Sequence, residues 1–330
     1  MPLTLKADKY IEGVREQLPV NNRVDKPVNI KEVVQFAGMD DKQYKVDLSG
    51  RGDYMNYVPA NKFVISVDSS KVLANGTVKD YFKGRILSPM VWEYSDADLF
   101  KGDLAMMDLL STNDWKRPVY ISTTVPSDQY KGLEKFFVQE GLAYRIVPVR
   151  IDTPEKGEFG MIDPVVMYDN LMNKFTWGNA GDPRVYLDEN NRRMFSNFKR
   201  IFASLGKELV QAGDSTKAVE VARKGLGIVP TQKLPNDFFS IGLAEVLIRA
   251  GQKDEGVKLL DNILDYSKGY LEYAISLRPE ERFGLDYPMG ISMQAMLDIY
   301  NLSVKLKLDS VTVVVEPEIN NYYSKLYSVK

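Results

Sequence analysis

After residue 188 the chain changes character. Apolar and small residues recur at helical spacing with no strand signal between them, and the pattern repeats. Val210-Gln211-Ala212-Gly213 returns 38 residues on as Ile248-Arg249-Ala250-Gly251, with Val219 matched by Val257 and Leu226 by Leu264. A period of this length marks a supersecondary unit that buries its apolar face only by stacking on a neighbour. In the first copy Phe202, Leu205, Gly206 and Leu209 fall on one helix, Ala218 and Ala222 on the next, and Pro230 closes the pair. Small residues at these places let two antiparallel helices approach closely, which is the tetratricopeptide pattern. The period exceeds the usual ~34 residues because the loop around 230–235 is longer. The second copy is degenerate, with Ser240 and Lys268 standing where the first has Phe202 and Pro230. A third hairpin over about 290–327 continues the series. The expectation for 186–330 is an all-α tetratricopeptide-like helical repeat domain.

The first 185 residues read differently. Val119, Ile121 and Thr123 alternate with Tyr120, Ser122 and Thr124, a β-branched strand over 118–125. A helix over 127–139 follows, with Leu133, Phe136 and Phe137 inward and Gly141 as its stop, and then a strand over 143–149. Strand, helix, strand predicts a βαβ unit with a right-handed parallel crossover. Upstream, the pattern predicts a helix over 31–37 capped by Asn29, a strand over 61–68, a turn at Asn75-Gly76 and a helix over 98–110 with Asp96 as its cap. Residues 151–190 are punctuated by Pro154, Gly157, Gly160, Pro164, Gly178, Gly181 and Pro183, while Tyr168, Phe175 and Trp177 point to a packed linker. The expectation for 1–185 is an α/β domain, a small sheet with helices on it, an irregular N-terminal segment and this linker.

Composition narrows the chemistry. The 330 residues hold no Cys and no His, which rules out a Ser-His-Asp triad, a Cys-His pair and a Cys/His zinc site within the chain. Acid–base work would fall to Asp, Glu, Lys or Tyr. A net charge of −2 offers no excess to neutralise phosphates and speaks against a nucleic-acid partner. No run of 18 apolar residues is long enough to span a bilayer, and the start carries no signal-peptide core. No cofactor, no metal and no catalytic residue is assigned.

Several motifs admit a bland and a functional reading. Arg51-Gly52-Asp53 is an adhesion tripeptide or a turn, and Asn75-Gly76-Thr77 a glycosylation sequon or a turn. Residues 188–193 open a helix whose early acids offset its dipole. Glu316 and Glu318 flank Pro317 and could form a carboxylate pair for glycoside hydrolysis. Trp92, Trp115 and Trp177 could stack on sugars or serve as partly buried anchors. The polar, aromatic knot 113–118 leads into strand 118–125, with Trp115 packed and Arg117 satisfied by a carboxylate or carbonyls, or with both reading a ligand. The candidate binding residues are Trp115, Arg117 and Trp177.

Several stretches together carry a family resemblance: YVPANKFVISVD (57–68) with NGTV (75–78), NDWKRPVYIST (113–123), GLAYRIVPV (141–149), MYDNLMNKFTWGN (167–179) and YLDENNRRMFSNFKRIFASLGKELVQAGD (186–214). They resemble the soluble C-terminal region of a multi-pass membrane family abundant in Bacteroidetes and related to protein O-mannosyltransferases, whose animal relatives O-mannosylate extracellular immunoglobulin-like domains. The resemblance covers about residues 10–215. It implies that transfer chemistry, with a lipid-linked sugar donor, belongs to a membrane domain absent from this chain. It further implies that this piece faces the periplasm at the inner membrane and that Met1 is an added start. The expected partners are that membrane domain and an acceptor polypeptide, to be docked or braced by a non-catalytic domain. The competing readings are a free-standing peptide-binding repeat scaffold and a carboxylate-dependent glycan-active enzyme.

Overall fold

A computed structural model describes residues 3–47, 50–151 and 160–327; Met1, Pro154 and Gly157 lie outside them. The chain divides into two compact units, residues 1–161 and 162–330. The first runs β1 (Gln17–Pro19), β2 (Val28–Asn29), α1 (Ile30–Gly38), β3 (Lys45–Asp47), β4 (Tyr54–Asn56), β5 (Lys62–Ile65), α2 (Ser69–Ala74), β6 (Met90–Glu93), β7 (Asp98–Phe100), α3 (Lys101–Asn113), β8 (Tyr120–Ser122), β9 (Phe137–Gln139), β10 (Ala143–Ile146) and β11 (Met161–Ile162). The second runs α4 (Pro164–Asp169), α5 (Glu189–Gln211), α6 (Ser215–Gly227), α7 (Ile241–Arg249), α8 (Lys253–Ser276), α9 (Asp286–Leu306) and α10 (Asp309–Tyr327).

In the first unit a mixed sheet, ordered β2-β5-β6, pairs β2 with β5 in parallel and β5 with β6 antiparallel. Its core centres on Phe63, Trp92 and Tyr94, with ring centroids 5.4 Å apart for Phe63–Trp92 and 5.9 Å for Trp92–Tyr94. Helix α1 buries Ile30, Val33, Val34 and Ala37, the i, i+3, i+4, i+7 stripe of an amphipathic helix. Asn29 caps it as expected, accepting from the Lys31 N–H at 2.9 Å. Its far end is capped from outside: buried Arg15 donates to the carbonyls of Ala37 (2.7 Å) and Gly38 (3.1 Å), which the helix leaves unsatisfied.

The βαβ unit is not there. Strands β9, β10 and β8 form an antiparallel sheet, Tyr144 opposite Gln139 on one side and Ile121 on the other, with β11 at the outer edge beside β9. Between β8 and β9 the chain makes two short 3-10 turns, Ser127–Gln129 and Leu133–Phe136. A long helix is prevented at Lys131 (φ 53°) and Gly132 (φ 90°), where the chain presses so close to β6 that a Cβ on Gly132 would sit 2.1 Å from the Glu93 carbonyl oxygen. Leu133, Phe136 and Phe137 do point inward, but Phe137 already belongs to a strand buried on both faces. The helix expected from Asp98 starts at Lys101, because Asp98–Phe100 pairs with β1 and Asp103 caps the helix from within, accepting from the Phe100 N–H at 3.0 Å.

In the second unit α5/α6, α7/α8 and α9/α10 are joined by turns of two or three residues, the lengths that make neighbouring helices antiparallel. The repeated Ala-Gly sequences make the same turn. Gly213 N–H donates to Val210 O and Asp214 N–H to Leu209 O; Gly251 N–H donates to Ile248 O and Gln252 N–H to Leu247 O. Both are Schellman closures with a left-handed glycine, φ 81° and 91°. The third pair closes identically through Lys307 and Leu308, but with a lysine at φ 54°. Helix α5 is approached closely on two sides. A Cβ on Gly206 would meet Val246 of α7 at 2.8 Å, and one on Gly225 of α6 would meet Phe202 at 2.8 Å.

Two stability changes follow. Gly206→Leu overpacks the α5–α7 crossing and should cost about 1–3 kcal/mol. Lys307→Gly relieves a left-handed lysine and should gain a few tenths to about 1 kcal/mol, the unfolded-state entropy of glycine offsetting part of the relief. Urea denaturation of each variant beside the parent measures both.

Candidate functional site

The knot 113–118 is a closed turn. Asp114 and Trp115 are both left-handed (φ 48° and 57°) and end α3. Asn113 ties the turn shut, its carboxamide accepting from Arg117 N–H (3.1 Å) and donating to Arg117 O (2.7 Å). Trp115 is 6% exposed. Its Nε1 donates to Ser66 O (2.8 Å), and its carbonyl accepts from Asn75 Nδ2 (2.9 Å) and Thr77 Oγ1 (3.2 Å). Asn75-Gly76 makes the expected turn, at the end of the short helix α2. The Arg117 side chain is exposed. Trp177 belongs to the second unit, half-buried against Phe175, Phe198 and Phe202, its Nε1 buried without a partner among the described residues. Trp92 is fully buried and donates to Lys131 O at 2.8 Å. Trp92 and Trp115 are thus both packed within the first unit.

The first unit spends its buried carboxylates on structure. Asp108 of α3 accepts from Thr4 N–H (2.8 Å), Leu5 N–H (3.0 Å) and Tyr10 Oη (2.9 Å), fastening the N-terminal segment. Burial, then Asp108, drives the Tyr10 phenol far above its ordinary pKa. Glu140 accepts from Tyr120 Oη (2.8 Å) and Arg145 (3.2 Å). Burial and that carboxylate push Tyr120 up to about 12. The Asp47 carboxylate accepts from the Gly50 and Gly52 N–H groups, making Arg51-Gly52-Asp53 part of a turn. Asp188 caps α5 by accepting from Asn191 N–H at 2.8 Å. Glu316 and Glu318 sit in α10, two residues apart and so not facing each other; Glu318 pairs with Lys268. Among the described residues no cluster of three or more Asp or Glu is arranged to hold a metal ion.

The second unit holds a candidate site that carries no sequence motif. An open cleft of about 320 Å³ in the second unit is lined by Thr231, Pro235, Asn236, Asn262 and Tyr266. Beneath it lies Lys199 of α5, 3% exposed. Its ammonium donates to Pro235 O (3.1 Å) and to fully buried Ser240 Oγ (3.0 Å), and Asn236 Oδ1 lies 3.5 Å away. Burial lowers the Lys199 pKa, against the opposing pull of Asp237, while burial raises that of Asp237. A strongly desolvated amine beneath a cleft is the kind of group that marks functional sites. Here it has a visible structural task, fixing loop 235–240 to α5. The signal was legible in principle: Lys199 lies three residues from Ser196 and Phe202 and four from Ala203, on the buried stripe of the helix.

Above the cleft, Tyr266, Tyr270 and Tyr273 of α8 are spaced i, i+4, i+7, with Tyr266 and Tyr273 exposed. They are near enough that Tyr266 and Tyr273, after burial, raise the Tyr270 pKa. Burial first, then Asp237, raises the Tyr266 pKa against an opposing effect of Arg192, so this phenol keeps its proton at neutral pH.

Two measurements test these assignments. Trp115→Ala should cost about 3–5 kcal/mol as a buried aromatic, read by denaturation; a loss within about 0.5 kcal/mol would mark a surface residue instead. For Lys199 the folded pKa lies below the unfolded one, near ~10.4. The unfolded chain binds more protons between those two values, so stability gains as pH rises through that window. The parent should therefore gain stability relative to Lys199→Met as pH rises toward the unfolded-state pKa, measured by urea titrations at each pH.

Comparison of the chain with curated proteins and with solved structures finds no match. A family model, TMEM260-associated domain 2, matches residues 1–166. The match spans half of the 330 residues and takes in the whole of the first unit, and the chain accordingly belongs to the TMEM260-associated domain 2 family.

Proposed function

We propose that the chain is a non-catalytic, extracytoplasmic accessory domain of a TMEM260-like, protein O-mannosyltransferase-like membrane protein, and that it docks the acceptor polypeptide. The observation that carries this reading is the family match over residues 1–166, to a domain that accompanies TMEM260 rather than to a transfer domain. Three features support it. No helix among the described residues is long and apolar enough to cross a membrane. The buried carboxylates Asp103, Asp108 and Glu140 are each held by hydrogen bonds that serve the fold. The second unit stacks helix pairs 38 residues apart with matching Schellman turns, which we read as tetratricopeptide-like and suited to holding a chain.

On this reading the membrane domain supplies transfer chemistry on the periplasmic side. The purified chain should then transfer and hydrolyse no sugar on panels of activated donors and aryl glycosides. Turnover abolished by a single Asp or Glu substitution would overturn the reading. In the membrane protein, removing 162–330 should weaken acceptor binding while the membrane portion stays folded. Loss of the membrane portion itself would assign the chain to bracing.

A further inference from the structure

We infer that the cleft of the second unit is a carbohydrate site, taking one neutral sugar ring and extending over α8 to further rings of an oligosaccharide. The inference goes beyond polypeptide docking and stands without it, because it rests on the chemistry of the cleft alone.

The polar groups lining the cleft share one property. The carboxamides of Asn236 and Asn262 and the hydroxyls of Thr231 and Tyr266 each both donate and accept hydrogen bonds. Thr231, Asn262 and Tyr266 are exposed, so their hydroxyl and carboxamide groups face solvent and are open to exchange water for a ligand. None of the lining side chains is ionised: the Tyr266 phenol is held protonated, and the Lys199 ammonium is turned onto Pro235 O and Ser240 Oγ beneath. A bound anion would call for a cation in the wall, and a bound cation for a carboxylate. A ring of vicinal hydroxyls calls for groups that donate and accept at once, beside an aromatic face for its C–H surface. The volume lies at the small end of the ~300–1,000 Å³ typical of ligand sites, as suits a single ring.

The extension follows from helix geometry. Asn262, Tyr266, Tyr270 and Tyr273 share one face of α8, and the three phenols climb the axis in steps of about 6 Å and about 4.5 Å. Gly269 lies between Tyr266 and Tyr273 on the same face, and a Cβ there would meet nothing within 4 Å. The result is an aromatic platform with open space beside it, leading away from the cleft. Lys199 is a positioning residue in this scheme: its ammonium lies beside Asn236 Oδ1, which leaves the carboxamide nitrogen to donate toward a ligand.

The test uses the full chain, with methyl hexopyranosides and linear trisaccharides of glucose and mannose as probes, read by saturation-transfer NMR and calorimetry. At least one methyl hexoside should bind in the millimolar range, and its trisaccharide about tenfold more tightly. Tyr266→Ala and Asn262→Asp should abolish binding of both probes. Tyr273→Ala should remove the trisaccharide advantage and leave the monosaccharide unchanged. Both Asn262 and Tyr273 are exposed, so the fold survives these changes, and far-ultraviolet circular dichroism checks that it does. No saturation transfer from any sugar overturns the proposal. So does inorganic phosphate or an unglycosylated peptide perturbing Asn262 and Tyr266 where sugars do not. A trisaccharide advantage that persists in Tyr273→Ala overturns the extension along α8.

Discussion

Helix α5 is approached closely from two sides, and the second unit is organised around that constraint. Phe202 is seated against Gly225 of α6, while Gly206 admits Val246 of α7. Neither contact has room for one more carbon, so the three helices set one another's separation. The same helix then sends Lys199 beneath loop 235–240. The cleft exists because that loop is held at a set height: its backbone is bonded to an ammonium whose own helix cannot shift. Close packing by small residues is thereby converted into the geometry of a polar surface some distance from it.

The first unit is held by a different means. Its sheets are short, none longer than four strands, and its connections are irregular. Much of the fastening falls to buried polar side chains that bond to backbone: Asp108 to the N-terminal segment, Arg15 to the end of α1, Asn113 across its own turn. Removing one partner of such a bond leaves a buried group unsatisfied, which costs more than the bond itself contributes. A fold of this kind depends on particular polar residues as much as on its apolar core.

The parts legible in the sequence were those with a local physical signature. The helix carrying Leu209 and the helix carrying Ala218 are separated as expected, with the break at Ala212-Gly213, because a left-handed C-cap and a helical stripe are both written within a few residues. Asn29 as a cap is legible for the same reason. The βαβ reading fails because Leu133, Phe136 and Phe137 satisfy a helical stripe as well as they satisfy what is there, a buried 3-10 turn running into a doubly buried strand. The deciding fact, the pressure of Gly132 against the Glu93 carbonyl, comes from a residue about forty positions away. The helix expected at Asp98 lost its first turn to a pairing with Gln17–Pro19, again a distant partner. Trp115, Arg117 and Trp177 drew notice because tryptophan and arginine are conspicuous. The cleft is built from Asn, Thr and Tyr, which are common and carry no motif; only the i, i+4, i+7 spacing of the tyrosines and the inward position of Lys199 pointed to it.

The bonds from Asp108 to Thr4, Leu5 and Tyr10 have a consequence for synthesis of the chain. The two ends of this clasp are about a hundred residues apart, and at ~5–20 residues per second the later end emerges on the order of 5–20 s after the earlier one. Through that interval the segment is held only by its contacts with the end of α1, Leu5 against Gly38 and Lys9 paired with Asp40, while α1 and its Arg15 cap assemble from neighbouring chain. The Asp108 bonds are therefore the late part of this fastening: they close over a segment that α1 already holds from one side.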